Sequence, residues 1–212
     1  MTVRGRTAFC LDVNRDAPVL ETSAMNIGTI IFWVSMVWLA SEILLAFLWR
    51  SKSTDIRRDK SSQKIIWIVV AISFSVSIFF KSQRFGHFGA GSMVIPNVGI
   101  TLIVCGMIVR WIATFSLRRQ FTVDVAIIEG HRLVTKGIYR YLRHPIYSGI
   151  LLSFVGLGLS FANFASLVVI AVPITAAFLH RIKIEERALL DHFGAEYQAY
   201  CASTKRLIPF VY

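Results

Sequence analysis

Two stretches of this chain gather polar residues whose types and spacing suit the handling of a zwitterion and an anion. The first is Gly130-His131-Arg132-Leu133-Val134-Thr135-Lys136-Gly137-Ile138-Tyr139-Arg140-Tyr141-Leu142-Arg143-His144-Pro145-Ile146-Tyr147-Ser148-Gly149. The second is Arg181-Ile182-Lys183-Ile184-Glu185-Glu186, followed by Phe193-Gly194-Ala195-Glu196-Tyr197. A carboxylate can hold an ammonium or lie beside a sulfonium, and an arginine can grip a carboxylate or phosphate through its planar fork. On a helix Arg181 and Glu185 stand at i,i+4 and share a face, with Glu186 about 100° further round. Pro145 suits the first turn of a helix, and the N–H groups there, at the positive end of the dipole, favour an anion. Plainer roles exist for the same residues. Arg143 and Arg181 can anchor at head groups, Tyr139, Tyr141 and Tyr147 can form an interfacial aromatic belt, and Arg181–Glu185 can be a surface ion pair.

The elements that must position these residues follow from hydropathy and charge. The chain has 212 residues, 23 Lys+Arg against 12 Asp+Glu and a net charge of +11, yet it is 55% hydrophobic and only 17% charged. Its mean hydropathy is +0.61. Such a composition excludes a disordered chain, a disulfide scaffold and an ordinary water-soluble domain. The basic excess then has two readings, a nucleic-acid footprint or the cytoplasmic loops of a membrane protein. Its distribution decides for the membrane.

Asn26–Trp49 carries one charge, Glu42; Ile65–Phe80 and Val94–Val109 carry none; and the 35 residues Ile146–His180 contain no Asp, Glu, Lys or Arg. A single helix of that last length would reach roughly 52 Å against a hydrocarbon core of about 30 Å. It therefore folds back on itself, with the break at Ser160-Phe161-Ala162-Asn163. The expected fold is an all-α integral membrane protein of about five spans. Its last two spans form a helical hairpin, followed by a cytoplasmic helical extension.

Arg50, Lys52, Arg57, Arg58, Lys60 and Lys64 fill one loop, and Arg118, Arg119, Arg132, Lys136, Arg140 and Arg143 a second. Arg181, Lys183, Arg187, Lys205 and Arg206 lie in the C-terminal tail, whereas the alternate loops are poor in Lys and Arg. By the positive-inside rule the N-terminus is expected outside and the C-terminus in the cytoplasm, in a cell or endoplasmic-reticulum-type membrane. Residues 1–25 make a non-cytoplasmic tail without the apolar core of a signal peptide, residues 26–117 three spans, and residues 118–212 the catalytic region. Cys10, Cys105 and Cys201 fall in separate compartments. The hairpin brings both polar stretches to the cytoplasmic face.

Other chemistries find no pattern. The sequence has no phosphate loop, no dinucleotide-binding GxGxxG, no HExxH and no CxxC, and its five histidines lack metal-ligand spacing, so no metal is expected. Gly149, Ser153, Gly156 and Ser160 recur along one helix and read as a close-packing stripe, Gly156-x-Gly158 included. Glu42, the sole carboxylate inside a span, reads either as functional or as a cap for a neighbouring helix.

At these residues the chain resembles the isoprenylcysteine carboxyl methyltransferase family, one of a wider set of membrane methyltransferases that includes phospholipid N-methyltransferases. The resemblance rests on His131-x-Leu133-Val134-x-x-Gly137-x-Tyr139, Arg143-His144-Pro145-x-Tyr147-x-Gly149, Arg181-x-x-x-Glu185-Glu186, Phe193-Gly194-x-Glu196-Tyr197-x-x-Tyr200 and Arg206-x-x-Pro209. It covers about 90 residues in the family's order and spacing, from His131 to Pro209. It implies S-adenosylmethionine as cofactor. His131, Leu133 and Val134 would line it, and Tyr139 with Arg143, His144, Pro145 and Tyr147 would close over it. Glu185 or Glu186 would hold its ammonium. Arg181 would position the acceptor carboxylate of a lipidic or prenylated small molecule or protein, entering from the bilayer. An ionised carboxylate needs no general base; an amine acceptor would, with Glu185 or Glu186 nearest. Amine or phospholipid N-methylation therefore stays open, as does a sterol-type reductase using NADPH, for which Arg132, Arg140 and Arg143 are available. No nucleic-acid partner is implied.

Overall fold

The computed structural model describes residues 26–48, 56–59, 61–83, 86–88, 93–117, 125–127 and 133–208. Its long helices are α1 (Ile27–Leu48), α2 (Ser61–Ser82), α3 (Val94–Leu117), α4 (Pro145–Ser160) and α5 (Phe164–Phe193), and a short α6 (Ala195–Ser203) follows. The expected tail 1–25 lies outside the described residues. Four of these helices, α1, α2, α3 and α5, are long and apolar enough to cross a membrane. The other expected span, α4, is a 16-residue apolar helix of roughly 24 Å, short of a full hydrocarbon core. The chain is an integral membrane protein built on helices. The strictly all-α expectation needs one amendment. Strands β1 (Ile56–Asp59) and β2 (Val125–Ile127) pair antiparallel, joining the basic loop after α1 to the one after α3. Arg-rich loops carry no alternating apolar signal, so periodicity does not reveal such a ribbon.

In lipid, helices gain no hydrophobic free energy by meeting, so small residues that let backbones approach become the adhesive. The stripe on α4 does this against α3. A Cβ added to Gly156 would fall 2.6 Å from the carbonyl oxygen of Gly99, and one on Gly149 would fall 2.6 Å from that of Gly106. Reciprocally, a Cβ on Gly106 would collide with Ser153 Oγ and fall 2.5 Å from Gly149 O. Pairing Gly99 with Gly156, and Gly106 with Gly149, also shows that α3 and α4 run antiparallel. Serines on α2 serve the equivalent seam with α5, where Ser166 donates to the Ser77 carbonyl at 2.8 Å.

The hairpin turn forms where the sequence places it. Asn163 caps α5 by accepting from the Ser166 amide at 3.0 Å and donates to the Phe80 carbonyl at 3.2 Å. Ala162 adopts φ +50°, and its carbonyl accepts from the Phe88 amide at 3.0 Å. At the far end, α5 runs well past His180 before Gly194, at φ +53°, turns the chain into α6. That backbone conformation strains any residue with a Cβ, so the glycine sets the direction of α6.

Gly106→Ala is expected to lower stability by about 1–3 kcal/mol, the range for overpacking a rigid contact. Thermal unfolding in detergent checks this; an unchanged midpoint would show that the α3–α4 seam yields.

Candidate active site

The two polar stretches meet at one end of the bundle. Leu133 and Val134 lead into a 3₁₀ turn, Gly137–Arg140, which places Tyr139 in the core. Pro145 then starts α4 at its first position, with His144 as the cap residue. Opposite them stand the C-terminal turns of α5, which bring Arg181, Glu185 and Glu186 across.

Tyr147 sits between the i,i+4 pair of α5. Its hydroxyl donates to Glu185 Oε2 at 2.7 Å and accepts from Arg181 Nε at 2.9 Å. Arg181 also donates to Ser62 Oγ of α2 at 3.2 Å and is itself buried. Three helices thus fix one guanidinium. His144 stacks on Tyr147, with ring centroids 5.7 Å apart.

Glu186 has a different environment. Its Oε1 accepts from Arg143 Nε at 3.1 Å and from Arg206 Nε at 3.1 Å, with His144 Nε2 at 3.4 Å. Its Oε2 accepts from Arg206 Nε at 2.9 Å and pairs with Arg206 Nη2 at 2.7 Å. Burial favours the neutral acid, but the hydrogen bonds and charges of His144 and Arg206 outweigh it and hold the carboxyl at about 2. Glu186 lies beyond the uncharged apolar run that ends at His180, so this is chemistry at the membrane surface. Glu185 is the more exposed carboxylate, 29% against 12%. Its Oε1 lies 3.9 Å from His144 Nδ1, beyond hydrogen-bond reach. Of the two, Glu185 retains an oxygen that a ligand cation can use.

A C-terminal strap closes the site from outside. The Arg143 and His144 amides donate to the Lys205 and Arg206 carbonyls at 2.8 and 3.1 Å, and the Lys205 amide donates to the Tyr141 carbonyl at 3.2 Å. Arg143 Nη1 reaches the carbonyls of Cys201 at 3.0 Å and Thr204 at 2.6 Å. Tyr200 donates to the Tyr139 carbonyl at 2.7 Å, and Ser148 to the Leu207 carbonyl at 2.6 Å. The hydroxyls of Tyr139 and Tyr197 are buried without a hydrogen-bond partner. Burial pushes the pKa of both up, and the Glu185 charge adds to the rise at Tyr139 and the Glu186 charge at Tyr197. Both hydroxyls remain protonated donors.

Of the expected site residues, Leu133, Val134, Tyr139, Arg143, His144, Pro145, Tyr147, Arg181, Glu185 and Glu186 all line this region; His131 lies outside the described residues. Ser62, Tyr200 and Arg206 complete it. Arg206 and Tyr200 stood in the motifs without a role, whereas Ser62 carries no sequence signal. Among the described residues no group of three His, Cys, Asp or Glu side chains could hold a metal.

Fold and site together define a polytopic helical membrane protein with a composite cluster of charged and tyrosine side chains at one end of its bundle. Residues 99–191 match the isoprenylcysteine carboxyl methyltransferase family, which bears out the resemblance carried by the motifs. Protein-S-isoprenylcysteine O-methyltransferase B of Arabidopsis thaliana is 38% identical over 119 residues, which are 55% of this chain and 60% of that protein. The Schizosaccharomyces pombe protein-S-isoprenylcysteine O-methyltransferase is 36% identical over 154 residues, 72% of this chain and 60% of that one. The match thus spans about 60% of the length of these relatives. A solved structure of the eukaryotic intramembrane Ras methyltransferase, an isoprenylcysteine carboxyl methyltransferase, shares the fold. Its TM-score is 0.64 at 24% identity, covering 87% of this chain and 67% of that one.

Because Glu186 ionises far below an ordinary glutamate, its contribution to stability is complete above about pH 4.5 and is lost as pH falls from there through about 2. Unfolding midpoints of wild type and Glu186→Gln measured across that window are expected to converge towards pH 2. A constant gap would show that the cage around Glu186 is not electrostatic.

Proposed function

We propose that this protein is an integral membrane S-adenosylmethionine-dependent methyltransferase. It works at the cytoplasmic face, with its N-terminus outside, and O-methylates the carboxylate of an isoprenylcysteine-like acceptor. On this reading α4 completes a five-span topology, and residues 118–212 form the catalytic region. The observation that carries the reading is the Arg181–Tyr147–Glu185 relay, set beside the residues that match the family's motifs. It places a fixed cation and an available carboxylate on either side of one hydroxyl, as a carboxylate acceptor and an ammonium-bearing cofactor require.

The residues present fit that cofactor. Glu185 has an oxygen for the ammonium, and Tyr139 and Tyr197 present buried donors with nothing to bond. Such orphans cost about 1–3 kcal/mol each unless a ligand or water satisfies them. Leu133, Val134, His144 and Pro145 supply apolar and flat surfaces around them. When bound, S-adenosylmethionine supplies an activated methyl group, so the protein's task is proximity and alignment. Arg181 holds the acceptor carboxylate ionised and aimed. Tyr147 keeps Arg181 and Glu185 at a set separation. The strap through Arg143 and Arg206 limits water.

With Glu185 assigned to the cofactor ammonium, Glu186 is the remaining candidate base, and it favours carboxyl over amine methylation. An amine acceptor must lose a proton, and a carboxylate held at about 2 by its cationic neighbours is a poor base. In the present reading Glu186 is the keystone of the strap, and Arg181 and Glu185 face the reactants.

Membranes carrying the protein, incubated with methyl-labelled cofactor and an S-prenylcysteine acceptor, are expected to yield base-labile methyl ester. Arg181→Ala is expected to lower kcat/KM by roughly 100-fold or more, as loss of a charged positioning contact does. Glu185→Gln is expected to weaken cofactor binding, read by calorimetry. Base-stable label on amines would move the assignment to N-methylation, and wild-type behaviour in both variants would overturn it.

A further inference from the structure

The apolar stretches of the spans contain two formal charges, Glu42 on α1 and Arg110 on α3, and the structure joins them: Arg110 Nη2 pairs with Glu42 Oε2. A charge at mid-bilayer costs about 2.5–3.5 kcal/mol on insertion scales, and such residues face the bundle interior and pair. Pairing explains how the two are tolerated. It does not explain why they lie where they do.

Arg110 belongs to the glycine seam. Its amide and Cβ lie 2.8 and 3.0 Å from the position a Cβ on Gly149 would take, one turn of α4 beyond Pro145. α3 packs against both α4 and the 3₁₀ turn, the elements that carry Tyr147, the relay hydroxyl, and Tyr139, the orphan hydroxyl of the site. Only part of its donor capacity is used. Arg110 Nε is buried without a partner, and so is Thr114 Oγ1, one turn along α3. What aims this guanidinium is Glu42. Trp38, one turn before Glu42 on α1, packs edge-on upon Phe154 of α4, with centroids 4.8 Å apart. The first span is thereby keyed to α3 and to α4, the second of which carries Tyr147.

We infer that Glu42 is a positioning residue for methyl transfer, fixing the Arg110 guanidinium on the helix that packs against the 3₁₀ turn and α4. The first span, which precedes the family-matched segment 99–191, thus contributes to the electrostatics of the site. The inference rests on the methyltransferase reading above. It also separates two roles by charge order. A pair that only tethers α1 needs opposite charges in either order, whereas a positioning pair needs the positive charge on α3.

The test compares wild type, Glu42→Gln and the swap Glu42→Arg/Arg110→Glu in lipid nanodiscs. It reads thermal midpoint, S-adenosylmethionine Kd by calorimetry, and turnover with an S-prenylcysteine acceptor. Glu42→Gln is expected to keep the cofactor Kd within about twofold while kcat falls about tenfold or more, as a misaimed site group causes. The swap is expected to regain the wild-type midpoint without regaining turnover. Wild-type kcat and KM in Glu42→Gln, or turnover regained by the swap, would overturn the inference. Should either variant fail to fold, Glu42→Asp decides, since it keeps the charge and withdraws it by one methylene. A lowered kcat at an unchanged midpoint supports positioning, and an unchanged kcat refutes it. Wild type that neither binds the cofactor nor turns over would instead overturn the methyltransferase reading and this inference with it, which distinguishes the two failures.

Discussion

The close approach of α3 to α4 is the constraint on which the rest of the structure hangs. In a bilayer the tails of the lipids are as apolar as leucine, so two helices adhere only if their backbones can come near enough for dense van der Waals contact. Gly99, Gly106, Gly149 and Gly156 permit that, and the carbonyl of each helix occupies the space a side chain on the other would need. The same seam sets the height of Pro145 and His144 relative to α3, places Arg110 against Gly149, and presents the start of α4 to the end of α5. A rigid seam is what makes hydrogen bonds near 3 Å between Tyr147 and two α5 residues a fixed geometry and not a passing contact.

Charge is then managed by pairing at two depths. Inside the apolar layer Glu42 and Arg110 neutralise each other. At the surface Glu186 draws in Arg143, Arg206 and His144, and those contacts fold the C-terminal strap over the site. Glu185, one residue away but on another face of α5, escapes that cage. Adjacent carboxylates on one helix thus come to differ in ionic environment and in availability, which is a common way for a protein to divide structural and ligand-facing duties between like groups.

Much of this was legible in the residues. The ends of α3, the hairpin break at Ser160–Asn163, Pro145 at the start of α4 and the glycine stripe follow from charge-free runs, capping chemistry and small-residue spacing, all of them local signals. The family motifs named most of the site. What stayed hidden depends on contacts distant in sequence. Ser62 meets Arg181, Arg206 meets Glu186, and Tyr200 meets Tyr139; no pattern within a helix encodes such pairs. The β1–β2 ribbon was also invisible, because its basic residues lack the alternation that marks a half-buried strand.

The sequence by itself determined the solvent of this protein, because hydropathy and charge position are properties of single residues and short runs. It also carried the motifs that resemble the isoprenylcysteine carboxyl methyltransferase family, because they keep their order and spacing along the chain. The tertiary structure alone decided which of two neighbouring glutamates is caged and which is available, and which arginine answers Glu42. Those outcomes turn on a few ångströms of approach between helices far apart in the chain, and one-dimensional spacing does not contain that distance.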